Sequence, residues 1–278
     1  MKATLWGTRG SLPSPGPDTL LYGGNTSCVS IEGPEGTLLV LDAGTGIRCL
    51  GLNLPLDLKH VHILLTHLHM DHIQGLPFFA PLRRAGVEVH IWGPASTTLS
   101  LSTRLLRYLS PPLFPVRVRE ILSDLYFHEL QSDSVRMGEF EVTAQLVLHP
   151  NPTLGYRIHG SRSSLAYLPD HEPALGAPTF PGHKDWTSGY ALAEGVDLLI
   201  HDAQYNQQEY QERVGYGHSS MFQALQFGQL AGVKKFVPFH HDPAHSDTWI
   251  DQLIEQTVQE IRPSFEVIPG KEGAIFEM

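Results

Sequence analysis

The chain has 278 residues, 41% hydrophobic and 17% charged, a balance that excludes a disordered or fibrous protein and predicts one large globular domain carrying an insertion. A formal charge of −10 argues against a protein that coats nucleic acid, because that affinity comes mainly from Lys and Arg neutralising phosphates. No segment approaches the roughly 18 to 20 consecutive apolar residues of a membrane span, and no apolar run follows Lys2 as in a signal peptide, so a cytoplasmic protein without a membrane partner is expected.

Taken in chain order, short runs rich in β-branched and aromatic residues predict strands over 3–6, 28–31, 37–41, 62–65 and 87–92. Cys28 and Cys49 stand outside any Cys-x-x-Cys pair and read as small buried apolar residues. The stretch 95–136 is the least strand-like part and includes Pro111-Pro112-Leu113-Phe114-Pro115, which predicts an insertion lying over the core. Further strands are expected over 140–146, 156–158, 165–168, 197–200 and 235–239. One helix begins at Ser219-Ser220 and stops at Gly232; another runs over 246–261, capped by Ser246 or Asp247, with Ile250, Leu253, Ile254, Val258 and Ile261 apolar and Pro263 beyond its end. Strands in runs with interspersed helices predict an α/β (α+β) protein, a four-layer αββα sandwich of two packed sheets flanked by helices.

Directly after the apolar run 61–65 stands Thr66-His67-Leu68-His69-Met70-Asp71-His72. Side chains alternate on an extended exit from a strand, so His67 and His69 project to one side and can share one ion. Asp71 and His72 follow at the turn, where they can face a neighbouring ion. Imidazoles with a carboxylate form a ligand set for Zn²⁺, and also for Mn²⁺ or Fe²⁺. Simple capping of a strand by polar residues has no reason to select three His and one Asp at this spacing.

This segment resembles the His-x-His-x-Asp-His signature of the metallo-β-lactamase superfamily, without substitution. The resemblance implies two divalent ions, Zn²⁺ foremost with Mn²⁺ or Fe²⁺ as alternatives. It assigns His67, His69 and His149 to the first, Asp71, His72 and His240 to the second, and Asp170 as the bridge. His171 is a rival to Asp170, and His241 to His240; His240 is preferred because it stands directly at the strand end, with Asp242 and Pro243 following.

Within the superfamily, Asp197-Leu198-Leu199-Ile200-His201-Asp202-Ala203-Gln204-Tyr205 with Gly217-His218-Ser219-Ser220 resembles paired segments of ribonuclease Z and its cyclic-nucleotide phosphodiesterase relatives. Gly7-Thr8-Arg9-Gly10-Ser11, Tyr22-Gly23-Gly24-Asn25-Thr26-Ser27-Cys28 and Leu41-Asp42-Ala43-Gly44-Thr45-Gly46 look like the opening of the same group. That likeness implies that His218 serves the leaving oxygen, that Asp202 orients it in place of the usual Glu, and that Asp71 also accepts the nucleophile's proton. His201 reads as a structural strand-end residue.

The expected function is a phosphodiesterase of cyclic nucleotides or related small phosphodiesters. The alternatives are a ribonuclease Z-type endonuclease at the 3′ end of transfer RNA and a carboxyl-ester, thioester or lactone hydrolase. The Gly-Pro-rich, Lys-bearing arm of ribonuclease Z has no counterpart here. Arg104, Arg107, Arg117 and Arg119 offer either a rim for an anionic substrate or a solvated face. A homodimer is expected from the resemblance alone.

Overall fold

The computed structural model describes residues 1–116, 120–177 and 179–278. Two seven-stranded mixed sheets form among these residues. The first contains β1 (Lys2–Gly7), β2 (Cys28–Glu32), β3 (Leu38–Leu41), β4 (His60–Leu64), β5 (Glu88–Pro94), β6 (Asp124–Leu130) and the chain's last strand, β14 (Ile275–Glu277). The second contains β7 (Ser134–Met137), β8 (Phe140–Val147), β9 (Thr153–His159), β10 (Ser164–Leu168), β11 (Leu198–Asp202), β12 (Lys235–Phe239) and β13 (Glu266–Val267). In each sheet one half is parallel, β3 to β6 and β10 to β13, so their carboxyl ends all open on the same edge of the sheet.

Strands buried on both faces read as near-continuous apolar runs, and Leu38–Leu41 and Leu198–Asp202 are buried throughout. One apolar layer lies between the sheets, built from residues such as Leu5, Val29, Leu41, Tyr156, Leu198 and Phe239. A second covers the outer face of the first sheet, where Ile47 and Leu50 of α1 (Gly46–Asn53) meet Val61, Ile63 and Ile91. The third packs Leu192 of α4 (Tyr190–Ala193), Leu225 and Phe227 of α6 (Met221–Ala231), and Ile250 and Ile254 of α7 (Asp247–Ile261) onto the second sheet. The order is helix, sheet, sheet, helix, as expected.

The helix ends follow their sequence signals. Ser220 and Ser246 cap α6 and α7 by accepting the backbone N–H of Gln223 and Trp249, and α6 stops at Gly232 in the left-handed conformation. Two expectations change. The tail of the presumed insertion belongs to the sheets, because β6 pairs parallel with β5 and β7 pairs with β8. The first part of that stretch holds α3 (Leu101–Leu106), while Arg117 and Arg119 lie outside the described residues. Cys28 is buried, whereas Cys49 on α1 is half-buried because it lies at the edge of the helix's apolar face.

Candidate metal centre

Every metal-ligand candidate expected from the sequence, and Asp202, stands at or just beyond the carboxyl end of a strand, whereas His218 stands just before α6. His67 leaves β4 through Thr66; His69 caps the short α2 (Met70–Ile73), which carries Asp71 and His72. His149 follows β8, Asp170 follows β10, Asp202 ends β11 and His240 follows β12. The rings of His67 and His69 lie 4.3 Å apart, as the alternation along an extended exit requires.

These side chains converge in two groups. Ligand atoms of His67, His69, His149 and Asp170 lie within 4.8 Å of one another, and so do those of Asp71, His72 and His240. Asp170 joins the groups: its Oδ2 is 3.7 Å from both His67 Nε2 and His149 Nε2, while its Oδ1 is 3.0 Å from His72 Nε2 and 3.3 Å from His240 Nε2. His218 stacks on His240 with ring centroids 5.0 Å apart.

Hydrogen bonds on the far side of each ring decide which nitrogen faces inward. His72 donates from Nδ1 to Asp42 Oδ2 at 2.8 Å, His149 from Nδ1 to the Gly217 carbonyl at 2.8 Å, and His240 from Nδ1 to Gln204 Oε1 at 3.1 Å. Their Nε2 lone pairs therefore meet carboxylate oxygens, acceptor against acceptor, an arrangement that calls for a cation between them. His67 Nε2, His72 Nε2 and Asp170 Oδ1 are also buried without a hydrogen-bond partner, which a buried polar atom avoids unless something else satisfies it. The donor set thus fits divalent cations, with His67, His69 and His149 placed to hold one, Asp71, His72 and His240 another, and Asp170 reaching both.

Burial holds His67, His69 and His149 below the ordinary imidazole value, leaving them neutral and ready to ligate. His72 is different: burial opposes its charge, but Asp170, Asp71 and Asp42 outweigh it and hold the pKa well above the ordinary value, so a cation entering here displaces a proton. Asp71 and Asp170 are buried, which disfavours their charge, yet the surrounding imidazoles keep both below the usual carboxylate range.

His218 donates from Nδ1 to Asp202 Oδ2 at 2.7 Å, so the shorter Asp reaches the ring without difficulty. Asp202 is itself fixed by the N–H groups of Gln204 and Ser219 on Oδ1 and of His171 on Oδ2. Burial opposes a charge on His218, but the Asp202 carboxylate outweighs it and pushes the pKa up to about 9. An imidazolium with one nitrogen committed to Asp202 has Nε2 left as its proton donor.

The rival residues have partners elsewhere. His171 Nδ1 contacts His201 Nε2 at 2.9 Å behind the site, and burial holds both rings neutral. His241 turns toward the Gly270 carbonyl and the edge of Tyr22; burial pushes it down to about 3. Arg104 is tied to Glu129 and the Pro94 carbonyl, an intramolecular role. The motif residue Arg9 is likewise buried, joining the carbonyls of Gly23 and His245 to Asp247, while Ser11 donates its N–H to Asp71 Oδ2 at 2.7 Å.

Sequence reasoning missed Asp42. This buried carboxylate stands at φ 58°, where a non-glycine residue is strained, and receives Thr66 N–H and Oγ1, His72 Nδ1 and Tyr167 Oη. Its signal was the acid directly after an apolar strand in Leu41-Asp42-Ala43-Gly44, a segment taken from the sequence only for its likeness to the opening of the group. Gly10 was also undervalued: a Cβ there would lie 2.4 Å from the His240 ring, so the glycine makes room for a site residue.

Comparison with known proteins gives the chain's family and fold. Over 300 aligned residues the chain is 24% identical to a ribonuclease Z of Anoxybacillus flavithermus, covering 92% of this chain and 91% of the relative. Its fold matches the metallo-β-lactamase fold protein YhfI of Bacillus subtilis with a TM-score of 0.73 at 20% identity, covering 100% and 98% of the two chains. It also matches a diphosphatase of the PhnP family with a TM-score of 0.69 at 18% identity, covering 100% and 97%. The family model described as the beta-lactamase superfamily domain matches residues 37–241, from β3 to just beyond His240, and the chain belongs to that superfamily, with the metallo-β-lactamase fold.

Proposed function

We propose that this hydrolase is a metal-dependent phosphodiesterase acting on cyclic nucleotides or related small phosphodiesters. The observation that carries the reading is the His218–Asp202 pair: an imidazole held at 2.7 Å by a buried carboxylate that raises its pKa stands beside seven convergent candidate ligands. Ester, thioester and lactone hydrolysis does not require such a proton donor.

Under this reading His67, His69 and His149 would hold one ion and Asp71, His72 and His240 another, with Asp170 within reach of both groups. Divalent ions bound there supply Lewis acidity toward phosphate oxygens and acidify water at neutral pH. The chain's own contribution is order and proton traffic. Asp42, Gln204 and the Gly217 carbonyl fix the rings from behind. Asp71, whose Oδ2 receives Ser11 N–H and lies 3.1 Å from His240 Nε2, would also accept the nucleophile's proton. His218 gives its proton to the departing oxygen, and Asp202 stabilises the cation until it does.

Supplied with Zn²⁺ or Mn²⁺, the protein is expected to cleave bis(p-nitrophenyl) phosphate and cyclic nucleotides in a panel that also holds precursor transfer RNA, a thioester and a lactone. Turnover of the thioester and lactone alone would overturn the assignment. The name of the ribonuclease Z relative favours a second reading, a transfer-RNA 3′-end endonuclease. Against it stand the charge of −10 and the lack of any lysine between Lys59 and Lys184. Specific cutting of the precursor in the same panel would establish it.

A further inference from the structure

Glu172 lies two residues beyond Asp170 and is buried, yet it belongs neither to the ligand set nor to the His218–Asp202 pair. Its carboxylate draws its donors from a single stretch of chain. Tyr210 Oη donates to Oε1 at 2.8 Å, Gly215 N at 3.1 Å, and Gly217 N donates to Oε2 at 3.0 Å. Gly215 and Gly217 both stand in the left-handed region, at φ 88° and 85°, and a Cβ on Gly217 would lie 2.4 Å from His149 Nδ1. A turn of this kind aims successive N–H groups into one concavity that takes an anion. Here the chain's own carboxylate fills it.

The outer side of the same turn carries the site. The Gly217 carbonyl accepts His149 Nδ1, and the next residue is His218. Glu172 also donates its backbone N–H to the Leu148 carbonyl at 3.0 Å, one residue before His149. It therefore fixes His149 twice, through the chain at Leu148 and through the ring's acceptor at Gly217, and it fixes the start of His218.

The geometry points to Glu172 as a positioning residue that holds His149 with Nε2 toward its ion and His218 at the leaving group. This rests on the proposed metal centre. A carboxylate that only stabilised the fold would change the unfolding midpoint and leave metal affinity and leaving-group dependence alone.

In the full-length protein, Glu172→Gln presents an amide NH₂ where an acceptor is needed. Zn²⁺ affinity, measured by competition with a chromophoric chelator, is expected to fall about 10- to 100-fold. The loss in kcat is expected to be larger for a phenyl phosphodiester than for its p-nitrophenyl analogue, because a misplaced His218 matters most when the leaving group needs the proton. Unchanged affinity together with equal losses on both esters would overturn the assignment. Should Glu172→Gln not fold, Tyr210→Phe removes one donor and keeps the carboxylate; a few-fold loss of Zn²⁺ affinity is expected, and none would overturn it. A wild-type protein that cleaves neither ester refutes the phosphodiesterase reading, while the Zn²⁺ titration still tests Glu172.

Discussion

At the scale of single residues, the division between ligands and proton donor gives the sharpest contrast. His67→Ala removes a proposed ligand whose Nε2 is buried without a hydrogen-bond partner, so metal analysis should find less than the wild-type ion content. His218→Ala should keep the wild-type content and lose turnover by about 100-fold or more, the usual contribution of a general acid. Normal turnover in that variant would remove the leaving-group role. Asp202→Asn tests the same pair through pH. Asp202 raises the folded-state pKa of His218 to about 9, so the ion pair's stability is fully present below the ordinary imidazole value and is lost as pH rises through 9. Without the carboxylate the proton leaves earlier, and the basic limb of the kcat profile should move to lower pH; an unmoved limb counts against the pair. The ligand candidates were legible as residues because each is a His or Asp directly after an apolar run. Asp42, Gln204 and Glu172 were not, since a carboxylate or amide that works from behind another residue carries no spacing of its own.

Elements were legible where burial is two-sided and caps are chemical. Residues 235–239 form β12 as expected, and Ser246 and Pro263 bracket α7. The strands β6 and β7 escaped because each is an edge strand. The first alternates exposed and half-buried residues from Asp124 to Phe127, and the second shows Ser134 and Arg136 to solvent, so neither carries a long buried apolar run. Helix α6 offers a test at this scale. Ser220 accepts Gln223 N–H at 3.1 Å and donates to Gln207 Oε1 at 2.9 Å, two residues after His218. Ser220→Ala should therefore lower stability by about 1 kcal/mol, read as a lower denaturant midpoint. A midpoint unchanged within error would mean that packing alone fixes the start of the helix.

For the whole molecule, the site closes only when the two sheets pack. Asp42, His67, His69, Asp71 and His72 come from the first sheet, and His149, Asp170, Asp202, His218 and His240 from the second or its connections. An ion bound between them binds the folded state and not the unfolded chain, so saturating metal at about 100 times its Kd should add about 2.7 kcal/mol, and chelation should remove it. Acid should act in the same direction. Burial holds His67, His69, His149, His171, His201 and His241 below the ordinary imidazole value, with His201 at about 4, whereas His72 and His218 are held above it. For the depressed group the unfolded chain takes up protons that the folded chain refuses. Their stabilising contribution is complete above the ordinary value and declines as pH falls from there toward 4. The two raised groups act oppositely but are outnumbered. Denaturant midpoints measured at pH 7.5, 6 and 5 should therefore fall for the metal-free protein, and fall more steeply for the metal-loaded one, whose ligands must lose the ion as they gain protons. Midpoints that hold level or rise toward pH 5 would show that the buried imidazoles do not govern the joint between the sheets.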